Sequence, residues 1–137
     1  MAGFSQSRLK KADRLFAEFA YVDAAKEYEK YLENEKEPGI ETIQRVGDSY
    51  YFTGKMSNAL RWYTKLDAVT AGNMDDKYFN RYIQAQRAEG NYQKADDLMK
   101  KRLEAKGDQA AINRFINQKK YLDSLNKAPA NYTVSNL

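Results

Sequence analysis

This chain contains no cysteine and no histidine among its 137 residues. The first absence excludes disulfides and thiolate nucleophiles, the second excludes imidazole bases, and together they remove nearly every zinc site. No metal and no cofactor is expected. Lack of cysteine fits an oxidising compartment and a reducing one equally. Only two prolines are present to interrupt helices. No stretch comes near the ~18 consecutive apolar residues of a membrane span. Ser5 to Lys11 is polar, so the start lacks the apolar core of a secretory leader. Charge of neither sign dominates: 23 Lys and Arg face 19 Asp and Glu, interleaved along the chain. The net charge of +4 is mildly basic and is not gathered into a tail.

What is present is a ring-rich helical pattern. Aromatic residues make up 13% and charged residues 31%, a balance that supplies apolar area to bury and argues against disorder. A hexad recurs three times, as Phe19 to Ala24, Gly54 to Ala59 and Gly90 to Ala95. Its closing alanines are 35 and then 36 residues apart. A period of this size in a helical sequence signals stacked helical repeats, and three units suffice to bury a continuous core.

The apolar spacing predicts seven helices. The first covers about 5–18, with Leu9, Ala12, Leu15, Phe16 and Phe19 on one face. The second covers about 22–34, with Ala24, Tyr28, Tyr31 and Leu32 inward. Pro38 and Gly39 break the pattern. The third runs over 40–52 and ends at Gly54, which can take a left-handed conformation. Ser57 or a neighbour caps the fourth, whose inner face is Ala59, Leu60, Trp62, Tyr63 and Leu66. Asn73 caps a fifth over 74–88, and Gly90 and Asn91 lead into the sixth. Gly107 ends that helix. Asp108 opens a seventh, with Ile112, Phe115, Ile116, Leu122 and Leu125 on one side and Lys119 and Lys120 on the polar side. Residues 1–4 read as an appended or disordered start, and 127–137 as a linker or extended tail.

Aligning the units on their alanines exposes further agreement. Twelve residues earlier stand Ala12, Gly47 and Ile83; four residues later stand Tyr28, Tyr63 and Met99. Small residues are needed where two antiparallel helices cross at ~8–10 Å, and a ring one turn on fills the space beside the crossing. In these positions the chain resembles the tetratricopeptide repeat family, over about 5–107. The resemblance implies an all-α fold, a right-handed α-solenoid of three hairpins (5–39, 40–73 and 74–107) plus a C-terminal capping helix (108–126), one domain over 5–126. The departures are Ile83 and Met99 in the third unit, and Phe19 where the other two hexads have glycine. A wider likeness runs through Ala12 to Tyr28, Trp62 to Leu66, Met74 to Asn80 and Tyr132 to Asn136. There the chain resembles the N-terminal repeat module of Bacteroidetes OmpA-family, PorE-like envelope proteins associated with type IX secretion and gliding. That likeness implies a periplasmic or outer-membrane-associated scaffold whose native leader and later domains lie outside this sequence.

In the tetratricopeptide family the first helix of each pair lines a concave, partner-holding face. Carried onto this sequence, that face comprises Leu9, Asp13 and Phe16, then Glu41, Gln44, Asp48 and Tyr51, then Lys77, Asn80, Arg81, Gln84 and Arg87. It implies a groove with an acidic, aromatic side and a basic side, suited to a peptide or protein loop of mixed charge. Lys77 and Arg81 match two places of the family's carboxylate clamp, but Asp13 would repel a carboxylate. Catalysis is not expected. Asp75-Asp76 and Asp96-Asp97 are adjacent pairs that diverge around a helix, so neither forms an acid–base couple. The alternative reading is a pentatricopeptide-like, single-stranded RNA-binding repeat, using Lys100, Lys101, Arg102, Lys119 and Lys120 on phosphates and tyrosines for stacking. Asp13, Glu41 and Asp48 oppose it, because they occupy the face that would meet the backbone. Oligomeric state is not encoded in any of these features.

Overall fold

A computed structural model describes residues 2–127, which form seven helices joined by turns, with no strand among them. The helices are α1 (Ala2–Ala17), α2 (Tyr21–Leu32), α3 (Ile40–Tyr51), α4 (Met56–Val69), α5 (Asp76–Ala88), α6 (Tyr92–Lys106) and α7 (Gln109–Lys127). The all-α class follows directly. The expected extended tail, from 128 on, lies outside the described residues. Two compact units divide the chain, one ending at Ala95 and one beginning at Asp96, a boundary inside the third period.

Starts and stops differ in detail from the sequence reading. α1 begins at Ala2 and takes in residues read as an unstructured start. α5 begins at Asp76, after Asp75 at the N-cap position, and Asn73 instead donates its side-chain amide to the Ala71 carbonyl at 3.3 Å. Lys55 holds the N-cap position of α4 in place of Ser57. Asp108 does cap α7, its Oδ1 accepting the Ala111 N–H at 3.1 Å.

Four helix ends share one geometry, one of them at the end of α4, where Ala71 has φ 52° and Gly72 donates its N–H to the Asp67 carbonyl at 2.9 Å; the other three close the hexad turns. At Gly54 and Gly90 φ is 76° and 80°, and at Phe19 it is 63°. In each turn the following residue donates its N–H back five positions: Ala20 to Leu15, Lys55 to Tyr50 and Asn91 to Gln86, at 2.9, 2.9 and 2.8 Å. This satisfies carbonyls that a helix end leaves open. Glycine takes φ > 0 freely, whereas a residue with a Cβ loses roughly 1–2 kcal/mol there. Phe19 therefore adopts the conformation of its glycine counterparts under strain. It does not join the inner face of α1, as its spacing had suggested, and is instead 76% exposed.

Within the first unit α1 packs on α2, α2 on α3, α3 on α4 and α4 on α5, with α3 also touching α5. The three hexad alanines, Ala24, Ala59 and Ala95, are wholly buried. The close approach is sharpest at Gly47, where an added Cβ would sit 2.7 Å from Cε1 of Tyr63. Tyr28, Ile43, Val46, Tyr63 and Leu66 complete the best-buried core.

A polar staple accompanies this packing and follows the same period. The Tyr28 hydroxyl donates to Asp13, and Nη1 of Arg45 meets that carboxylate at 2.9 Å. One repeat on, the Tyr63 hydroxyl donates to Asp48 at 2.7 Å and Nη1 of Arg81 to its other oxygen at 2.8 Å. Each staple thus joins the two helices of a pair to the first helix of the next. A third link has Glu29 of α2 as hub, accepting from the Tyr50 hydroxyl and Trp62 Nε1 at 2.9 Å each, and from Arg61.

Candidate functional site

A groove of about 640 Å³ opens on the first unit. Its lining comes from α1 (Phe16), the start of α2 (Tyr21), α3 with its C-cap (Ile40, Glu41, Gln44, Arg45, Asp48, Phe52) and α5 (Lys77, Tyr78, Arg81). Phe16, Glu41, Gln44, Asp48, Lys77 and Arg81 of the expected face therefore share one depression. The i, i+4 spacing of Gln44 with Asp48, and of Lys77 with Arg81, sets them on common helix faces.

The other expected residues lie elsewhere. Leu9 and Asp13 are half-buried on α1, and Asp13 is committed to Tyr28 and Arg45. Tyr51 is half-buried, its ring edge-on to Phe52 and Tyr63 at 5.8 and 6.3 Å. Asn80, Gln84 and Arg87 are exposed on α5 outside the lining. Asp48 is a special case: it borders the groove but is only 4% exposed, so it acts from behind by holding Arg81.

Five lining residues were not on the expected face: Tyr21, Ile40, Arg45, Phe52 and Tyr78. The repeat contained a signal for Arg45, which precedes Arg81 by one period. Tyr21 and Phe52 lie at helix termini, where facial periodicity gives no direction. Their rings stand 5.0 Å apart at a tilt of 42°. Phe16 approaches Tyr21 edge-on at 5.4 Å.

Cations rest on this aromatic surface. The Arg81 guanidinium lies 4.8 Å from the Phe52 ring centre and 5.7 Å from that of Tyr78. Arg45 lies 5.8 Å from Phe16, and the Lys77 ammonium 5.0 Å from Tyr78. Such contacts, together with the carboxylates that hold Arg45 and Arg81, order these cations against the ring faces.

Burial pushes the Asp48 carboxyl upward, against the opposing pull of Tyr63 and Arg81. Burial likewise raises the Tyr28 and Tyr63 hydroxyls, reinforced by Asp13 and Asp48 respectively. These shifts belong to the hydrogen-bonded network that links α1 to α5. Among the described residues no cluster of carboxylates suits a metal ion, and no helix is long and apolar enough to cross a membrane. Comparison with models of known protein families and with characterised proteins gives no significant match to this chain.

Proposed function

We propose that this chain is a non-catalytic, tetratricopeptide-type scaffold that holds a protein or peptide segment in the α1–α3–α5 groove. The observation that carries the reading is the groove itself, with half-buried and exposed rings beside ordered cations and one exposed carboxylate. Glu41 is exposed on one wall, while Lys77 and Arg81 stand on the other. Rings with few rotatable bonds and pre-ordered guanidinium groups lose little entropy on binding, which suits protein recognition. The right-handed stacking of three hairpins with a final covering helix is part of this proposal. The recurrent Asp–Tyr–Arg staple and the shared hairpin turn support it for the first unit. By the resemblance stated above, the scaffold belongs to a periplasmic OmpA-like envelope protein that links cell wall and secretion machinery.

A photo-reactive side chain at Gln44, on the groove wall, is expected to give one discrete adduct in envelope extract, with none from exposed Lys26 on α2. Equal labelling at both positions, or at neither, rejects the reading. The alternative, single-stranded RNA, draws on the same rings and cations. It predicts a salt-sensitive mobility shift of labelled RNA, and no shift at low ionic strength removes it.

A further inference from the structure

The three hairpin turns share one backbone path, yet only the first places a bulky side chain on it. Phe19 holds φ at 63° where Gly54 and Gly90 hold 76° and 80°. Its ring is 76% exposed, so folding recovers little from it. It meets the Tyr21 ring edge-on at 6.1 Å. Strained backbone beneath an exposed ring is unfavourable for stability alone, and such outliers concentrate at ligand-binding positions.

The ring also has a setting. Tyr21 is a hub: Phe19 lies 6.1 Å away, Phe16 5.4 Å and Phe52 5.0 Å. From Phe16 the surface continues to Arg45, which is shared by Asp13 and Glu41, so this branch has a carboxylate in excess. From Phe52 it continues to Arg81 and Lys77 facing Asp48, so this branch has a cation in excess. The two branches thus differ in charge, one with a carboxylate in excess and one with a cation in excess, and Phe19 extends the ring cluster beyond the groove lining.

Resting on the peptide-groove reading above, we propose that the partner is an extended peptide whose bulky apolar side chain seats against Phe19, Tyr21 and Phe52, with a base toward Glu41 and an acid toward Lys77 and Arg81. Phe19 is then a contact that binding requires and folding does not. This separates it from a packing residue, whose loss lowers stability and affinity together.

The test uses the whole chain and blocked nine-residue peptides. Each has a central tryptophan between a lysine-rich end and a glutamate-rich end, made in both sequence directions and titrated by fluorescence anisotropy. One direction is expected to bind. Phe19→Gly should weaken it about tenfold or more while raising the midpoint of thermal unfolding. Phe19→Asn, which also tolerates the left-handed region, should weaken it likewise. Unchanged affinity in both variants overturns the inference, as does a lowered midpoint in Phe19→Gly. If Lys77→Glu weakens binding and Phe19→Gly does not, the groove reading stands and the role of Phe19 falls. If neither peptide binds while the Gln44 adduct persists, the peptide chemistry falls alone. Displacement of the peptide by oligouridylate overturns the proposal in favour of nucleic acid.

Discussion

Gly47 shows how one missing methyl group sets a helix crossing. The Tyr63 ring occupies the volume that a Cβ would need, at 2.7 Å. Tyr63 is wholly buried and its hydroxyl is fixed on Asp48, so the ring has nowhere to withdraw. Gly47→Ala is therefore expected to destabilise the chain by about 1–3 kcal/mol, the usual range for overpacking, despite the higher helix propensity of alanine. Urea unfolding followed by circular dichroism measures it, and a stabilised variant would refute the crossing argument. The same rings predict the response to alkali. Tyr28 and Tyr63 have hydroxyls raised well above the ordinary value of 10.0, first by burial and then by their carboxylate partners. The folded state keeps both protons where the unfolded chain releases them. Their stabilising contribution is intact below pH 10 and declines as pH rises above it, by about 1.4 kcal/mol per pH unit for each group. Tyr28→Phe and Tyr63→Phe should each reduce that slope in unfolding experiments between pH 10 and 12. A small residue paired with a ring one turn later is readable in a sequence, because volume constrains both. The burial of Asp48 is not, since it depends on a tyrosine from another helix reaching the same point.

Elements in the first unit are joined by charged side chains as well as by apolar contact. The Asp13–Tyr28–Arg45 and Asp48–Tyr63–Arg81 staples repeat with the period of the hairpins. Asp48 is 5% exposed at its side chain and Arg81 22%, so removing either partner leaves the other charge poorly solvated. A double-mutant cycle of Asp48→Ala with Arg81→Ala should give a coupling of about 1–3 kcal/mol, with the double variant losing less than the sum of the singles. Strict additivity would show that the pair is incidental. Helix number, order and the hairpin turns were legible in the sequence, because apolar spacing and the glycines of the second and third hexads mark them. The first turn was the exception: Phe19 obeyed the helical spacing of α1, yet the backbone geometry of the hexad prevailed. Caps at Asn73 and Ser57 were misplaced because several neighbouring polar residues could open the same helix. The staples needed Arg45 and Arg81 to be read as one position in the repeat, which alignment on the alanines alone did not prompt.

Among the described residues burial is unevenly distributed. Of these described residues every fully buried one lies at or before Ala95, and none lies from Asp96 onward. The third period also carries Gln84, Met99 and Asn117 where the earlier ones carry Asp, Tyr and Arg, so this charged staple cannot form there. In the second unit Lys119 and Asp96 approach at 4.0 Å, and Tyr121, Leu122 and Leu125 of α7 remain exposed. A helix held mainly by partial burial opens at lower free energy than one with a closed core, because little apolar area is returned to water. Hydrogen exchange should therefore divide at the unit boundary. Amides of α3 and α4 are expected to exchange only through global unfolding, and those of α6 beyond Asp96 and of α7 at least tenfold faster. Urea at concentrations below the global transition should accelerate the first set and leave the second nearly unchanged. Uniform protection from α1 to α7 would mean that the second unit draws on the core of the first for its stability.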